Sequence, residues 1–161
     1  MSIILKENYW LCPVCRKSLR ANGNSCLCEN RHCFDIAKSG YVNLILSNKS
    51  LHGDDKEMIT ARRTFLNSGH YKILCDALCD SVKSVSEMRT VILDAGCGEC
   101  YYTSEISKSC PEAAVLGIDL SKDALKAGGK RNAGLLLAAA SVYDIPLADE
   151  SVDIVVSVFA P

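Results

Sequence analysis

Cys12 and Cys15 bracket a Pro-Val pair, and a second group of soft ligands, Cys26, Cys28, His32 and Cys33, follows within the next 18 residues. A CxxC knuckle lets two thiolates face one ion while backbone N–H groups of the turn stabilise the sulfurs. A second pair from another turn then closes a tetrahedral shell. Such a sulfur and nitrogen set suits Zn²⁺, and a closed four-ligand shell is structural rather than catalytic. Spacing leaves the second pair open, as Cys28 with His32 or Cys28 with Cys33. A redox CxxC pair opens a helix after a strand, and that context is missing around Cys12. Cys75, Cys79, Cys97, Cys100 and Cys110 read as ordinary buried or surface thiols.

The second candidate site is the run Asp94-Ala95-Gly96-Cys97-Gly98-Glu99-Cys100, after the apolar segment Val91–Leu93 and before a helical pattern. Glycines at a strand-to-helix turn let backbone approach a ligand, and the helix that follows offers free N–H groups. Asp119 lies 21 residues beyond Gly98, at the end of the next apolar run. That is the distance at which a carboxylate accepts ribose hydroxyls of a nucleoside cofactor. The dinucleotide fingerprint GxGxxG is broken, because Tyr101 stands where its third glycine would be, and no Gly-Lys-Ser/Thr of a P-loop follows. The DxGxG form instead resembles motif I of S-adenosylmethionine (SAM)-dependent methyltransferases, which predicts SAM rather than NAD.

These sites need scaffolds. Residues 9–35 carry turn residues and no long periodic segment, as expected for a small loop-and-hairpin module stapled by metal. A short apolar run from Tyr41 gives way to a polar stretch that reads as a linker. Residues 55–68 and 71–86 read as helices, with Met58, Ile59, Phe65 and Leu66 on one stripe of the first and Gly69 as its stop. In the second, Ile73, Leu74, Ala77, Leu78 and Val82 recur at helical spacing. Beyond residue 90, apolar strands at 91–95, 114–119, 135–139 and 152–158 alternate with helices at 101–109 and 121–131. Continuous apolar strands of this kind form a parallel sheet covered on both faces. Gly128 and Gly129 fall inside the last helix and should weaken it by roughly 1 kcal/mol each relative to Ala. The expected division is 1–46, a zinc-binding module; 47–89, linker and helices; and 90–161, the first part of a SAM-binding domain.

Composition sets bounds on this reading. The chain has 161 residues, 48% of them hydrophobic, enough for a packed core and too apolar for a disordered chain. The longest apolar stretch, Leu135 to Ala140, is far too short to span a bilayer. The first residues lack the features of a signal peptide, so the expected compartment is the reducing cytoplasm, where closely spaced cysteines bind metal. Charge is uneven: residues 1–72 hold eleven Lys/Arg against six Asp/Glu, and residues 73–161 hold seven against thirteen. The basic end is the natural one to meet phosphate, through Arg16, Lys17, Arg20, Arg31 and Lys38.

The two sites in this order resemble the RlmA family of bacterial 23S rRNA (guanine-N1) methyltransferases. The likeness runs through Cys12-Pro-Val-Cys15, Asn30-Arg-His32-Cys-Phe-Asp-Ile-Ala-Lys-Ser-Gly-Tyr-Val-Asn-Leu44, Ala61-Arg-Arg-Thr-Phe-Leu66, Gly69-His-Tyr71, the glycine run, Gly117-Ile-Asp119 and Phe159-Ala-Pro161. It implies an α/β fold, with a zinc-ribbon-like module followed by a partial Rossmann-like class I SAM-dependent methyltransferase domain. It implies zinc on Cys12, Cys15, Cys28 and His32, and places Tyr71, Asp94, Gly96, Gly98, Glu99 and Asp119 at the SAM site. The implied substrate is a guanine in a 23S rRNA hairpin loop, methylated at N1. No acid in the chain stands out as the base for the N1 proton. Cys100 departs from the family, which often has glycine there. Family members also continue past the Ala-Pro that ends this sequence. The fourth strand is therefore expected at an uncovered edge, favouring a homodimer or completion by another polypeptide. On that view the chain alone is a weakly active or non-catalytic zinc- and SAM- or RNA-binding fragment. A small-molecule methyltransferase is the further alternative. Replacing Cys15 is expected to loosen residues 9–35 and leave the later strands folded.

Overall fold

A computed structural model describes residues 8–46 and 56–160. The polar stretch read as a linker falls largely at 47–55 and lies outside the described residues.

The N-terminal module is a small antiparallel sheet of β1 (Arg20–Asn22), β2 (Ser25–Leu27) and β3 (Cys33–Asp35), in that order. Gly23, at φ +62°, opens the two-residue turn that pairs Asn22 with Ser25, a conformation glycine adopts without a Cβ penalty. The apolar run after Tyr41 forms β4 (Val42–Asn43), which leaves the module and pairs in parallel with the main sheet.

Two helices follow, α1 (Lys56–Asn67) and α2 (Lys72–Val85), and then β5 (Val91–Ala95), α3 (Tyr101–Ser109), β6 (Ala114–Asp119), α4 (Lys122–Arg131), β7 (Leu136–Ala139) and β8 (Ile154–Val156). The main sheet has the order β4-β7-β6-β5-β8, with every pairing parallel and β8 at one edge. Strand alternation divides its apolar side chains between two cores. Ile92, Val115, Leu137, Ala139 and Val156 pack with Val82 of α2, Ile106 of α3 and Leu125 of α4. On the other face Leu93, Leu116, Ile118, Leu136 and Ala138 pack with Trp10, Leu19, Cys26 and Cys28 of the N-terminal module. Both faces are covered, as continuous apolar strands require, but the second cover among the described residues is the metal module rather than helices.

The helical stripes differ from the sequence expectation. In α1, Ile59 and Leu66 are buried while Met58 and Phe65 are about half exposed. In α2 the inward positions are Cys75 and Val82, and Ile73 is 83% exposed. The buried thiol of Cys75 substitutes for an aliphatic residue, which a hydropathy pattern centred on Ile73 and Leu74 misplaces by one turn position.

Gly128 and Gly129 sit within α4 and do not end it. A Cβ on Gly128 would collide with Cys100 Sγ, and one on Gly129 with the Ser39 carbonyl. The pair lets α4 pack directly on the glycine loop and on the segment leading to β4. The helix-propensity deficit is thus accepted in return for close approach.

Candidate functional site

In the N-terminal module two tight turns converge. Arg16 N–H donates to the Cys12 carbonyl at 2.8 Å and Arg31 N–H to the Cys28 carbonyl at 2.9 Å. Both arginines adopt positive φ, 57° and 63°. These turns bring Cys12, Cys15, Cys28 and His32 together, with ligand atoms all within 4.8 Å of one another. Cys15 Sγ and Cys28 Sγ are 3.6 Å apart, and His32 Nδ1 lies 3.4 Å from the sulfurs of both Cys12 and Cys28. A tetrahedral zinc with Zn–S near 2.3 Å and Zn–N near 2.0 Å needs edges of about 3.5–3.8 Å, so the donor set and its spacing fit that ion. The Lys17 backbone N–H, with smaller help from His32, Cys12 and Cys28, holds the Cys15 thiol down at about 6, favouring the thiolate that a metal requires. Cys26 and Cys33 lie outside the group. Cys26 is buried in the shared core and pushed up to about 11 by that burial, while Cys33 is exposed.

The basic residues of the module do not all face solvent unengaged. Arg16 donates to the carbonyls of Ile145 and Leu147 at 3.2 Å and pairs with Asp144 at 3.4 Å. With Leu11 N–H on the Pro146 carbonyl at 2.8 Å, it fastens the module to the segment before β8. It is therefore a docking residue, whereas Arg20, Arg31 and Lys38 are exposed.

The glycine run turns over the end of β6, where Gly96 N–H and Cys97 N–H both donate to the Ile118 carbonyl, at 2.9 and 3.0 Å. Gly96 has φ +86°, and a Cβ there would collide with that of Ala160. Gly98 has φ +54° and donates its N–H to Asp119 Oδ2 at 2.8 Å, while Asp119 Oδ1 accepts from Ser121 N–H at 2.7 Å. Asp119 thus ties the glycine loop to the start of α4. Cys100 caps α3 in the left-handed region at φ +62°, with its side chain fully buried against Gly128. Its thiol lies 3.9 Å from that of Cys97.

Beside this loop lies a cavity of about 240 Å³ at the carboxyl ends of β5 and β8. Tyr71, Asp94, Gly96, Gly98 and Glu99 all line it; Asp119 is not among its lining residues. Asp94 is 3% exposed and accepts a hydrogen bond from Thr103 Oγ1. Burial pushes its carboxyl up to about 6, against the lowering effect of Thr103 and with a small addition from Asp119. Glu99 is equally buried and is paired by Arg63 Nε and by Arg131 Nη2, the latter at 3.3 Å. That clasp joins α1, the glycine loop and α4.

Sequence reasoning gave no place in the cofactor site to several lining residues: Arg62, Phe65, Tyr101, Tyr102 and Phe159. Phe65, Tyr71 and Phe159 form a chain of edge-on ring contacts with centroids 5.5 Å apart. The available signal was the aromatic spacing, Phe65 and Tyr71 flanking the Gly69 stop, which periodicity alone assigns to a core stripe.

Residues 10–50 match the family model for the RlmA N-terminal zinc ribbon, and residues 92–160 match a methyltransferase-domain model. The 23S rRNA (guanine(748)-N(1))-methyltransferase of Streptomyces fradiae is 32% identical over 95% of this chain and 56% of its own length. A Bacillus subtilis relative, provisionally named a 23S rRNA (guanine-N(1)-)-methyltransferase, is 36% identical over 93% of this chain and 56% of its own. The chain thus spans somewhat over half the length of these curated relatives. Among solved structures, Streptomyces venezuelae DesVI superposes with TM-score 0.52 at 22% identity, covering 68% of this chain and 45% of that one. The plantazolicin methyltransferase BpumL, solved in complex with SAH, gives 0.51 at 21% identity, covering 64% and 41%. These likenesses establish a Rossmann-like methyltransferase fold for the C-terminal region.

Proposed function

We propose that the chain, whose residues 10–50 and 92–160 match the RlmA N-terminal zinc ribbon and a methyltransferase domain, belongs with the RlmA-type zinc-ribbon methyltransferases and serves SAM-dependent methylation of guanine N1 in a hairpin loop of 23S rRNA. The observation that carries the reading is the cavity beside the glycine loop. There a buried carboxylate, backbone freed by two positive-φ glycines and an aromatic rim meet at the carboxyl ends of parallel strands, the position at which this class of sheet binds ligands.

In this reading SAM supplies an electrophilic methyl group on sulfonium. Tyr71, Asp94, Gly96, Gly98 and Glu99 form its site, and Asp119 holds the loop while offering its carboxylate to the ribose. The chain's task is then mainly positioning: N1, methyl carbon and sulfur must be held in line. The N1–C bond forms as the S–C bond breaks, and the N1 proton leaves to a base. Cys12, Cys15, Cys28 and His32 bind one structural zinc, and the exposed Arg20, Arg31 and Lys38 contact RNA phosphate. The division into 1–46, 47–89 and 90–161, a cytoplasmic location and a homodimer belong to the same proposal. Self-association would use the apolar β8 edge, where Val155 is 63% exposed. Among the described residues no helix is long and apolar enough to cross a membrane.

The test is primer extension on 23S rRNA fragments treated with the protein and SAM, because methylation at N1 blocks Watson–Crick pairing. A SAM-dependent stop opposite one loop guanine is expected. Binding of SAH without any stop would reject turnover by this chain and support the non-catalytic fragment, and a stop at a position other than guanine would reject guanine N1 as the target. Absence of SAH binding would reject the methyltransferase reading itself.

A further inference from the structure

Residues 73–161 hold seven Lys/Arg against thirteen Asp/Glu, yet four of the seven, Lys122, Lys126, Lys130 and Arg131, fall on the ten residues of α4. The helix carries one acid, Asp123. Arg131 is committed to Glu99. Lys122, Lys126 and Lys130 are exposed, and none of them makes an ion pair among the described residues. A spacing of four residues sets them in one row, each about 6 Å along the axis from the next. Helix stability accounts for only part of that row. Lys130 complements the macrodipole at the carboxyl end, but Lys122 stands in the first turn, where a cation opposes it.

The row also meets the N-terminal module. Gly129 lies three and seven residues beyond Lys126 and Lys122, hence on the same side of the helix, and its missing Cβ admits the Ser39 carbonyl. Ser39 belongs to the turn that Gly40 N–H closes on the Ala37 carbonyl at 2.8 Å, and Lys38 is exposed in that turn. We propose that Lys122, Lys126 and Lys130 form, with Lys38, a track for the phosphate backbone of the RNA substrate. This rests on the 23S rRNA reading above and extends the RNA-binding surface from the zinc module onto α4. Ammonium groups on flexible stems suit such a track, because they follow phosphates without reading bases. A membrane surface fits less well. Ala124 and Leu125 are buried beneath the helix, so α4 presents no large apolar side chain beside the lysines to enter lipid.

The test measures binding of a 23S rRNA hairpin and of an unrelated hairpin of equal length, by fluorescence anisotropy across a salt series. Lys122→Gln/Lys126→Gln/Lys130→Gln should weaken both hairpins by roughly 10- to 100-fold near 0.1 M salt. It should also lower the slope of log K against log salt by about 2, as expected when three phosphate contacts are lost. Lys83→Gln/Arg89→Gln/Lys108→Gln removes the same charge from the rest of this region and should leave binding close to that of the wild type. Unchanged affinity and slope in the first variant, with zinc content and circular dichroism retained, would overturn the track and leave the rRNA reading in place. Equal losses in both variants would overturn it too, since they mark net charge alone. So would a loss confined to phosphatidylserine vesicles, with RNA binding intact. If the unsubstituted protein binds neither hairpin, the rRNA reading fails first and the track falls with it.

Discussion

In residues 8–46 the strands are at most three residues long, and four ligand atoms within 4.8 Å of one another set the geometry. In β5 and β6, by contrast, strands of five and six residues send their apolar side chains alternately into two cores, and none of their residues belongs to the Cys12, Cys15, Cys28 and His32 group. The first region has little interior of its own. Its buried residues Trp10, Leu19, Cys26 and Cys28 share a core with Leu93, Leu116, Ile118 and Leu136 of the sheet. Metal organises the module from one side and the sheet from the other, and the module in turn is the sheet's second cover. The contrast teaches that a structural metal can act at a distance. With the proposed zinc bound, a shell closed on Cys12 and Cys28 would also hold the module over Leu93, Leu116 and Leu136 of the main sheet.

The largest expected effect breaks this dependence. Cys15→Ala, or removal of metal with a chelator, should abolish stoichiometric zinc and open the module. The shared core changes the sequence-based expectation that the later strands stay untouched. Hydrogen exchange should rise in β1–β3 and also at Leu116 and Leu136, and the melting temperature of the whole chain should fall. Protection at β6 and β7 equal to that of the unsubstituted protein would show that the two regions are independent.

A smaller effect sharpens the other half of the comparison. The folded Asp94 carboxyl is raised from 3.8 to about 6. Between those values the folded chain keeps a proton that the unfolded chain has released. Stability should therefore be fully supported below about pH 4 and decline as pH rises to 6, by roughly 3 kcal/mol at most. Asp94→Asn should flatten this part of the urea-denaturation pH profile while leaving zinc content at one per chain. An unchanged slope in that variant would assign the titration elsewhere.

The smallest effect concerns the glycine loop. Cys100→Gly removes a left-handed non-glycine residue, a gain of about 1 kcal/mol, and loses a fully buried thiol packed on Gly128. The two oppose each other, so denaturation midpoints should differ little. If the variant instead falls by several kcal/mol, the Cys100–Gly128 contact matters more to α4 than the backbone strain.

How much was legible depends on range along the chain. Val91–Ala95, Tyr101–Ser109 and Ala114–Asp119 could be bounded from apolar runs and helical spacing, because neighbours within a few residues decide them. The CxxC knuckle and DxGxG turn were readable because their chemistry constrains short spacings, and the resemblance supplied Cys28 with His32 where spacing left two choices. The sequence by itself therefore determined the local elements, the soft donor set and the glycine turn. Only the tertiary structure decided that the module covers the sheet, that β4 joins it beside β7, and that Arg62 lines the cavity while Arg63 pairs with Glu99. It also decided that Gly128 and Gly129, which lower the helix propensity of α4, let it approach Cys100 and Ser39 closely. Each of these depends on surfaces from segments distant in sequence meeting at van der Waals range, and no local pattern encodes which surface will be opposite.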